Sequence, residues 1–344
     1  MKKISFFDAK PYDKVCFDKM KSQFGFEIEY FDTKLNEHSV QLAAGSDAVC
    51  AFVNDTLDKP VIEAIANQGI GIIAMRCAGY NNVDFETAYG KVHVVRVPAY
   101  SPYAVAEFAM GLILCLNRKI QHAYNRTREF NFSLNGLTGF DLRGKTIGVV
   151  GTGKIGRVFM EVCSGFGVNL VAYDPYPVEN SGIHYVSFDE LCKMSDIISL
   201  HCPLTKESHY LINKKSIELM KDGVYIINTS RGALINSEDL VEGLKSKKIG
   251  AAALDVYEEE SDIFYEDFSN QIIQDDILAR LLTFPNVLIT SHQAYLTNEA
   301  LGNIAETTLT NLKDFFAGTP LANEVCYHCS KNTECKKQAQ GRCF

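Results

Sequence analysis

A chain of 344 residues, 47% of them hydrophobic, is long enough to bury two sizeable cores. Its formal net charge of −8, with no compensating basic stripe, excludes a general electrostatic attraction to nucleic acid or to an anionic membrane. The N-terminal apolar stretch meets Asp8 too soon for a signal-peptide core and no later run is long enough to span a bilayer, which predicts a soluble, cytoplasmic protein.

Before residue 100 five β-rich runs, KISFFD, FEIEYFD, AVCAFV, IGIIAMRC and VHVVRV, alternate with helix-like runs such as Lys59 to Asn67. That alternation predicts βαβ units and a parallel sheet. Ser101 followed by Pro102 suits a helix N-cap and first turn, and a helix-compatible stretch runs from there to about Glu129. A second alternation occupies 145 to about 292, with strands near 147, 170, 197, 226, 252 and 288 and a helix from Ser237 to Lys248 capped by Ser237. Thr297 opens a last long helix that ends near Gly318 and Pro320. The second series is complete by 292, so this helix is free to return to the first. The expected fold is α/β: two doubly wound parallel-sheet domains, Rossmann-like or flavodoxin-like, with a substrate cleft between them. One is split in sequence, 1–100 plus 298–344; the other, 101–297, is continuous.

Residues 151 to 156 read GTGKIG, between a strand-like run ending at Val150 and a helix-compatible run from Lys154 to Phe166. A further apolar run, Asn169 to Tyr173, ends at Asp174. This order is that of a dinucleotide-binding βαβ unit. Gly151 permits the tight turn, Gly153 lets backbone approach a pyrophosphate, and Gly156 allows close packing of helix on strand. The helix start, with Lys154 and Ile155, turns free N–H groups toward the phosphates. Asp174 would accept hydrogen bonds from ribose hydroxyls and repel a 2′-phosphate, which favours NAD over NADP.

Ligands of parallel sheets sit beyond the carboxyl ends of the strands. Three polar residues follow strand-like runs there: Arg231 after VYIINTS, Glu260 after AAALDV and His292 after NVLIT. A planar guanidinium can hold a carboxylate through two bonds, and an imidazole can pass a proton near neutral pH. A carboxylate bonded to that imidazole fixes its tautomer. The set suits hydride transfer to a 2-oxo acid.

At these residues the chain resembles the D-isomer-specific 2-hydroxyacid dehydrogenases, and within them the fermentative NAD-dependent D-lactate dehydrogenases. The likeness runs to about residue 325 through RCAGYNNVD (76–84), VPAYSPYAVAEFA (97–109), GTGKIG, HCPLT (201–205), NTSRGALI (228–235), LDVYEEE (254–260) and SHQAYLT (291–297). It implies that Arg231, Glu260 and His292 are the catalytic set, with Glu260 preferred to Glu258 or Glu259. It implies that backbone around Ala78, Gly79 and Tyr80 holds the substrate carboxylate and that Tyr100 and Tyr295 line the pocket. It also sets Ile155, Asp174, Cys202, Pro203, Thr229 and Asp255 against NAD, Cys202 as a packing residue and Asp255 near the nicotinamide amide. Glu260 argues against formate as substrate, because formate dehydrogenases of this fold carry glutamine there. Phe52, in AFVND, either walls a small pocket suited to pyruvate or belongs to the core; without that wall, larger 2-oxo acids such as 2-oxoisocaproate or phenylpyruvate are the alternative. A rival of another class is an NAD-sensing, corepressor-like binding protein, which keeps the same fold. The resemblance also implies assembly as a homodimer, the usual state in the family, or as a homotetramer.

Eleven cysteines divide unevenly: seven are spread through apolar segments, and Cys326, Cys329, Cys335 and Cys343 crowd into a tail, 326–344, outside the family core. A CxxC start and four thiols suit zinc, yet the x2, x5 and x7 spacings match neither a doubled CxxC pattern nor a ferredoxin run. A redox-sensitive or solvent-exposed tail is the other reading, and disulfides are the least suited to cytoplasm.

Overall fold

Short runs of two to six residues form two sheets in the computed structural model, which describes residues 1–258, 263–329 and 335–344. The chain divides into two compact units, Met1–Ser101 with Leu296–Phe344, and Pro102–Tyr295.

In the first unit β1 (Lys2–Phe6), β2 (Phe26–Tyr30), β3 (Ala48–Ala51), β4 (Ile72–Met75) and β5 (His93–Val95) pair in parallel in the order β2-β1-β3-β4-β5. The central runs AVCA and IIAM are apolar throughout because both faces are covered. Val49, Ala51, Ile73 and Met75 join one buried cluster with Ile62 and Ile65. The alternate residues Ala48, Cys50, Ile72 and Ala74 join another, with Phe17, Leu309 and Leu312 from the Pro11–Phe24 and Asn298–Ala317 helices.

In the second unit β6 (Thr146–Val150), β7 (Asn169–Tyr173), β8 (Ile197–Leu200), β9 (Val224–Asn228), β10 (Ile249–Leu254) and β11 (Val287–Ile289) are all parallel, ordered β7-β6-β8-β9-β10-β11. Strand order reverses beside β6, so the crevice where such sheets bind ligands opens at the end of that strand. Back in the first unit, β12 (Glu324–Val325) adds an antiparallel strand to β5.

Two helix expectations need correction. The stretch from Pro102 to Glu129 is two helices, Pro102–Arg118 and Ile120–Arg128, broken at Lys119, whose φ of 50° is left-handed. The loop at Gly139–Phe140 docks on the break. Asn117 exchanges hydrogen bonds with Phe140 through both side-chain atoms, and a Cβ on Gly139 would lie 2.4 Å from the Asn117 carbonyl oxygen. The Ser237–Lys245 helix is capped by Asn236 and not by Ser237: the Asn236 side chain accepts from the Asp239 N–H at 3.0 Å. No helix among the described residues is long and apolar enough to cross a membrane.

Candidate active site

Gly151 ends β6 with φ +93°, and a Cβ there would lie 2.7 Å from both the His201 oxygen and the Cys202 nitrogen. Two strand ends, those of β6 and β8, therefore meet at a point only glycine fits. A Cβ on Gly156 would lie 2.0 Å from the Gly151 carbonyl oxygen, so helix and turn press together as the spacing predicts. Nothing lies within 4 Å of where a Gly153 Cβ would be. Gly153 is the N-cap of the eleven-residue Lys154–Ser164 helix, and the free N–H groups of that first turn leave room and positive potential for an anion.

Asp174, just past β7, is joined to this loop by a residue overlooked in the glycine pattern. Its Oδ2 accepts from the Thr152 N–H at 2.7 Å and from the Thr152 hydroxyl at 2.9 Å, while Oδ1 accepts from the Tyr176 N–H at 2.9 Å. The only sequence signal for Thr152 is a hydroxyl between two loop glycines. A cavity of about 440 Å³ opens here, lined by Gly151, Gly153, Asp174, Tyr176, Cys202 and Pro203 among others. Burial pushes the Cys202 thiol up to about 11, so at neutral pH it is a protonated, apolar wall. The His201 ring lies tilted against that of Phe159 and shares a hydrogen bond with Ser199; burial pushes its pKa down to about 3, which keeps it neutral, although the residue is only partly buried and lines the cavity.

Across the sheet, successive strand ends carry the remaining residues. After β9, Thr229 is buried with its hydroxyl lacking a partner among the described residues. The Arg231 carbonyl accepts from Asn228 Nδ2 at 2.8 Å, and its guanidinium donates to the Ser230 oxygen at 2.6 Å. A Cβ on Gly232 would lie 2.0 Å from the Tyr257 backbone, so the Arg231 turn rests on the segment that leads to Glu260. Glu260 itself lies outside the described residues; Glu258 accepts from the Tyr210 hydroxyl.

After β10, Asp255 is fully buried and organises the turn after β11. It accepts from the Thr290 hydroxyl at 2.6 Å, the Gln293 N–H at 2.9 Å and the Ala294 N–H at 2.8 Å. Burial raises its pKa, and these donors oppose the rise. His292 stands in that turn at φ 53°, its N–H donating to the Asp255 carbonyl at 2.8 Å and its carbonyl accepting from the Tyr265 hydroxyl at 3.2 Å. A left-handed histidine is costly, and the turn is held from both sides. Tyr295, partly buried, follows in the same turn.

The first unit holds the other expected residues. Phe52 is half-buried. The Arg76 guanidinium lies 4.7 Å from its ring centroid, and its N–H donates to Asp55 at 2.6 Å. The Ala78 carbonyl accepts from Arg96 at 2.8 Å, and Arg96 also sits 4.9 Å from the Tyr80 ring. Gly79 and Tyr100 are partly buried; the Gly79 carbonyl accepts from the Cys77 thiol, and that of Tyr100 from Asn303. In the tail, the Sγ atoms of Cys326, Cys329, Cys335 and Cys343 lie within 4.8 Å of one another.

A glycine turn at the switch point of a six-stranded parallel sheet, an acid after the second strand and a cavity lined by both fit a dinucleotide, and an orphaned buried hydroxyl, a cation and an imidazole share that sheet edge. These features define a dinucleotide-dependent oxidoreductase. The chain belongs to the D-isomer-specific 2-hydroxyacid dehydrogenase family, whose NAD-binding domain matches residues 110–294. It is 51% identical over 327 residues to the D-lactate dehydrogenase of Escherichia coli strain K12, covering 94% of this chain and 99% of that one. It is 50% identical over 327 residues to a 2-hydroxyacid dehydrogenase homolog of Haemophilus influenzae, with coverage of 94% and 99%. Among solved structures it resembles the pyruvate reductase of Chlamydomonas reinhardtii, with a TM-score of 0.90, 43% identity and coverage of 94% and 98%.

Proposed function

We propose that this chain is an NAD-dependent D-lactate dehydrogenase that interconverts pyruvate and D-lactate. The observation that carries the reading is the order along one sheet edge. His292 follows β11, Asp255 follows β10, Arg231 follows β9 and the glycine loop follows β6, in a sheet whose strands all run the same way. Sequence identity of about half to an enzyme of that name supports the same reading.

Arg231 anchors the substrate carboxylate through its planar guanidinium, helped by backbone around Ala78, Gly79 and Tyr80. His292 donates a proton to the carbonyl oxygen as it becomes an alkoxide, and takes it back in the reverse direction. Glu260 holds the imidazole in its protonated form. Tyr100 and Tyr295 line the pocket, and Phe52 limits it to a small side chain. The bound dinucleotide supplies the hydride. Gly151, Gly153, Lys154, Ile155 and Gly156 hold its pyrophosphate, Asp174 its ribose, and Cys202, Pro203, Thr229 and Asp255 its remaining surface.

Oxidation of NADH against a panel of 2-oxo acids, with chiral analysis of the product, tests the reading. The expected outcome is fastest turnover with pyruvate and D-lactate as the sole enantiomer. NADH binding without turnover on any acid would instead favour the NAD-sensing binding protein. The reading includes assembly as a homodimer or homotetramer. Phe130, Phe132 and Leu134, 86%, 71% and 80% exposed, support it as an apolar run that a second copy would cover. Replacing all three by serine should lower the mass found by analytical ultracentrifugation to that of one chain.

A further inference from the structure

The four tail cysteines take no part in the reaction above, yet the fold gathers them with care. Cys326 follows β12 and is pinned by the antiparallel pairing of Glu324 and Val325 with β5. Cys329 closes a tight turn back on it: its N–H donates to the Cys326 carbonyl at 3.0 Å, and the Cys326 N–H points at Cys329 Sγ at 3.3 Å. Cys335 leads into the short Lys337–Gln340 helix, and Gly341, at φ +76°, turns the chain back so that Cys343 reaches the same point. There the Cys343 N–H donates to the buried Glu324 carboxylate at 2.6 Å.

The sulfur spacing identifies what fits. Sγ–Sγ distances are 3.7 Å for Cys326–Cys329, 3.9 Å for Cys326–Cys335 and 3.8 Å for Cys335–Cys343. Four thiolates each about 2.3 Å from one tetrahedral ion lie about 3.8 Å apart. Disulfide sulfurs lie about 2.0 Å apart, and all four thiols are free. A multi-iron cluster spreads its cysteines farther than a single ion does, and these four stay within 4.8 Å of one another.

We propose that Cys326, Cys329, Cys335 and Cys343 bind one zinc ion as four thiolates and that this ion staples the tail to the open edge of the first sheet. The four thiol protons pass to solvent as the ion enters. Four protein ligands leave no position for a substrate, so the site is structural. Lys336, Lys337 and Arg342, within the same segment, offset the net negative charge of a four-thiolate centre. The staple has a purchase on the fold: Arg342 donates to the Asp314 and Phe315 carbonyls that end the Asn298–Ala317 helix, and the Phe344 ring stacks on His93 of β5 at 4.1 Å. Metal thus covers an edge strand that would otherwise offer unpaired backbone.

The test is elemental analysis of the full-length protein purified without oxygen, beside the variants Cys335→Ser, Cys343→Ser and, as a control remote from the tail, Cys115→Ser. One zinc per chain is expected in the wild type and in Cys115→Ser, and near-complete loss in the two tail variants, with NADH binding retained as the check that the second unit is folded. Cobalt exchanged into the wild type should give the intense visible bands of a tetrahedral thiolate complex, and Tm should fall when a chelator strips the metal. Metal-free wild type with four titratable tail thiols would overturn the proposal, as would iron in place of zinc, or zinc retained in both tail variants.

Discussion

Phe52 and Asp55 show how a single buried charge fixes the backbone under the side chain proposed to limit the substrate. Asp55 is 2% exposed and accepts the N–H of Phe52 and of Leu35, each at 2.6 Å, so its carboxylate sets the backbone that carries the Phe52 ring. Truncating that ring leaves Arg231 and His292 unchanged, so it tests the proposed role of Phe52 by itself. Phe52→Ala is expected to move the kcat/KM ratio about tenfold or more from pyruvate toward 2-oxoisocaproate or phenylpyruvate, since each buried methylene contributes about 1 kcal/mol or more to discrimination. An unchanged ratio would remove Phe52 from the specificity argument. Burial raises the Asp55 pKa to about 6, against the Arg76 charge that lowers it. A carboxyl that protonates more readily folded than unfolded gains native stability as pH falls, from about 6 toward its unfolded value near 4. The gain is on the order of 3 kcal/mol and is complete below that lower value. Asp55→Asn cannot titrate, so the Tm difference between wild type and variant should widen in favour of the wild type between pH 7 and pH 4. A difference independent of pH would show that Asp55 does not titrate in that window.

At the scale of elements, the turn after β11 depends on one residue of β10's end. Asp255 accepts three donors from residues 290–294, an arrangement that suits a carboxylate and not an amide. Asp255→Asn would set an NH2 against one of those N–H groups, with a cost of roughly 1–3 kcal/mol. The expected outcome is a lowered kcat with NADH affinity changed less, because His292 loses its left-handed geometry while the glycine loop is untouched. Stopped-flow NADH binding alongside steady-state turnover separates the two, and an equal loss in both would count against a positioning role. Much of this element was legible: NVLIT reads as a strand, and a histidine just beyond it is a strand-end candidate. Its backbone strain was not, because φ at His292 is imposed by Asp255, 37 residues earlier. The break at Lys119 escaped for a similar reason. Helical periodicity is local, and Gly139 and Phe140 end that helix from 20 residues away.

Over the whole molecule, the nesting of one series inside another could be read from the mid-chain position of GTGKIG and from the late helix at Asn298–Ala317. The two-residue strand β12 could not, since so short a run carries no periodicity; it exists because β5 has a free edge and Glu324 is held by His93 and Cys343. The four tail cysteines were legible as a candidate set but not as one point in space, because their spacings fit no repeated pattern and only the turn at Gly341 brings Cys343 back to the other three. The nesting itself has a consequence for folding. Among the described residues each of the four buried clusters draws on one unit alone: two lie within residues 102–295 and two within the remainder. The Pro102–Tyr295 unit is continuous and owns a complete six-stranded sheet, so its core closes without the flanking segments. Expressed alone, residues 102–295 should fold cooperatively and bind NADH, seen as a change in nicotinamide fluorescence, while turning over no 2-oxo acid because Ala78–Tyr80 and Tyr100 are missing. Residues 1–101 joined by a short linker to 296–344 should form the other unit, since β5 and β12 pair within it and the Asn298–Ala317 helix supplies Leu309 and Leu312 to its core. A non-cooperative melt of the 102–295 fragment, or its failure to bind NADH, would mean that the inserted unit depends on the one that encloses it.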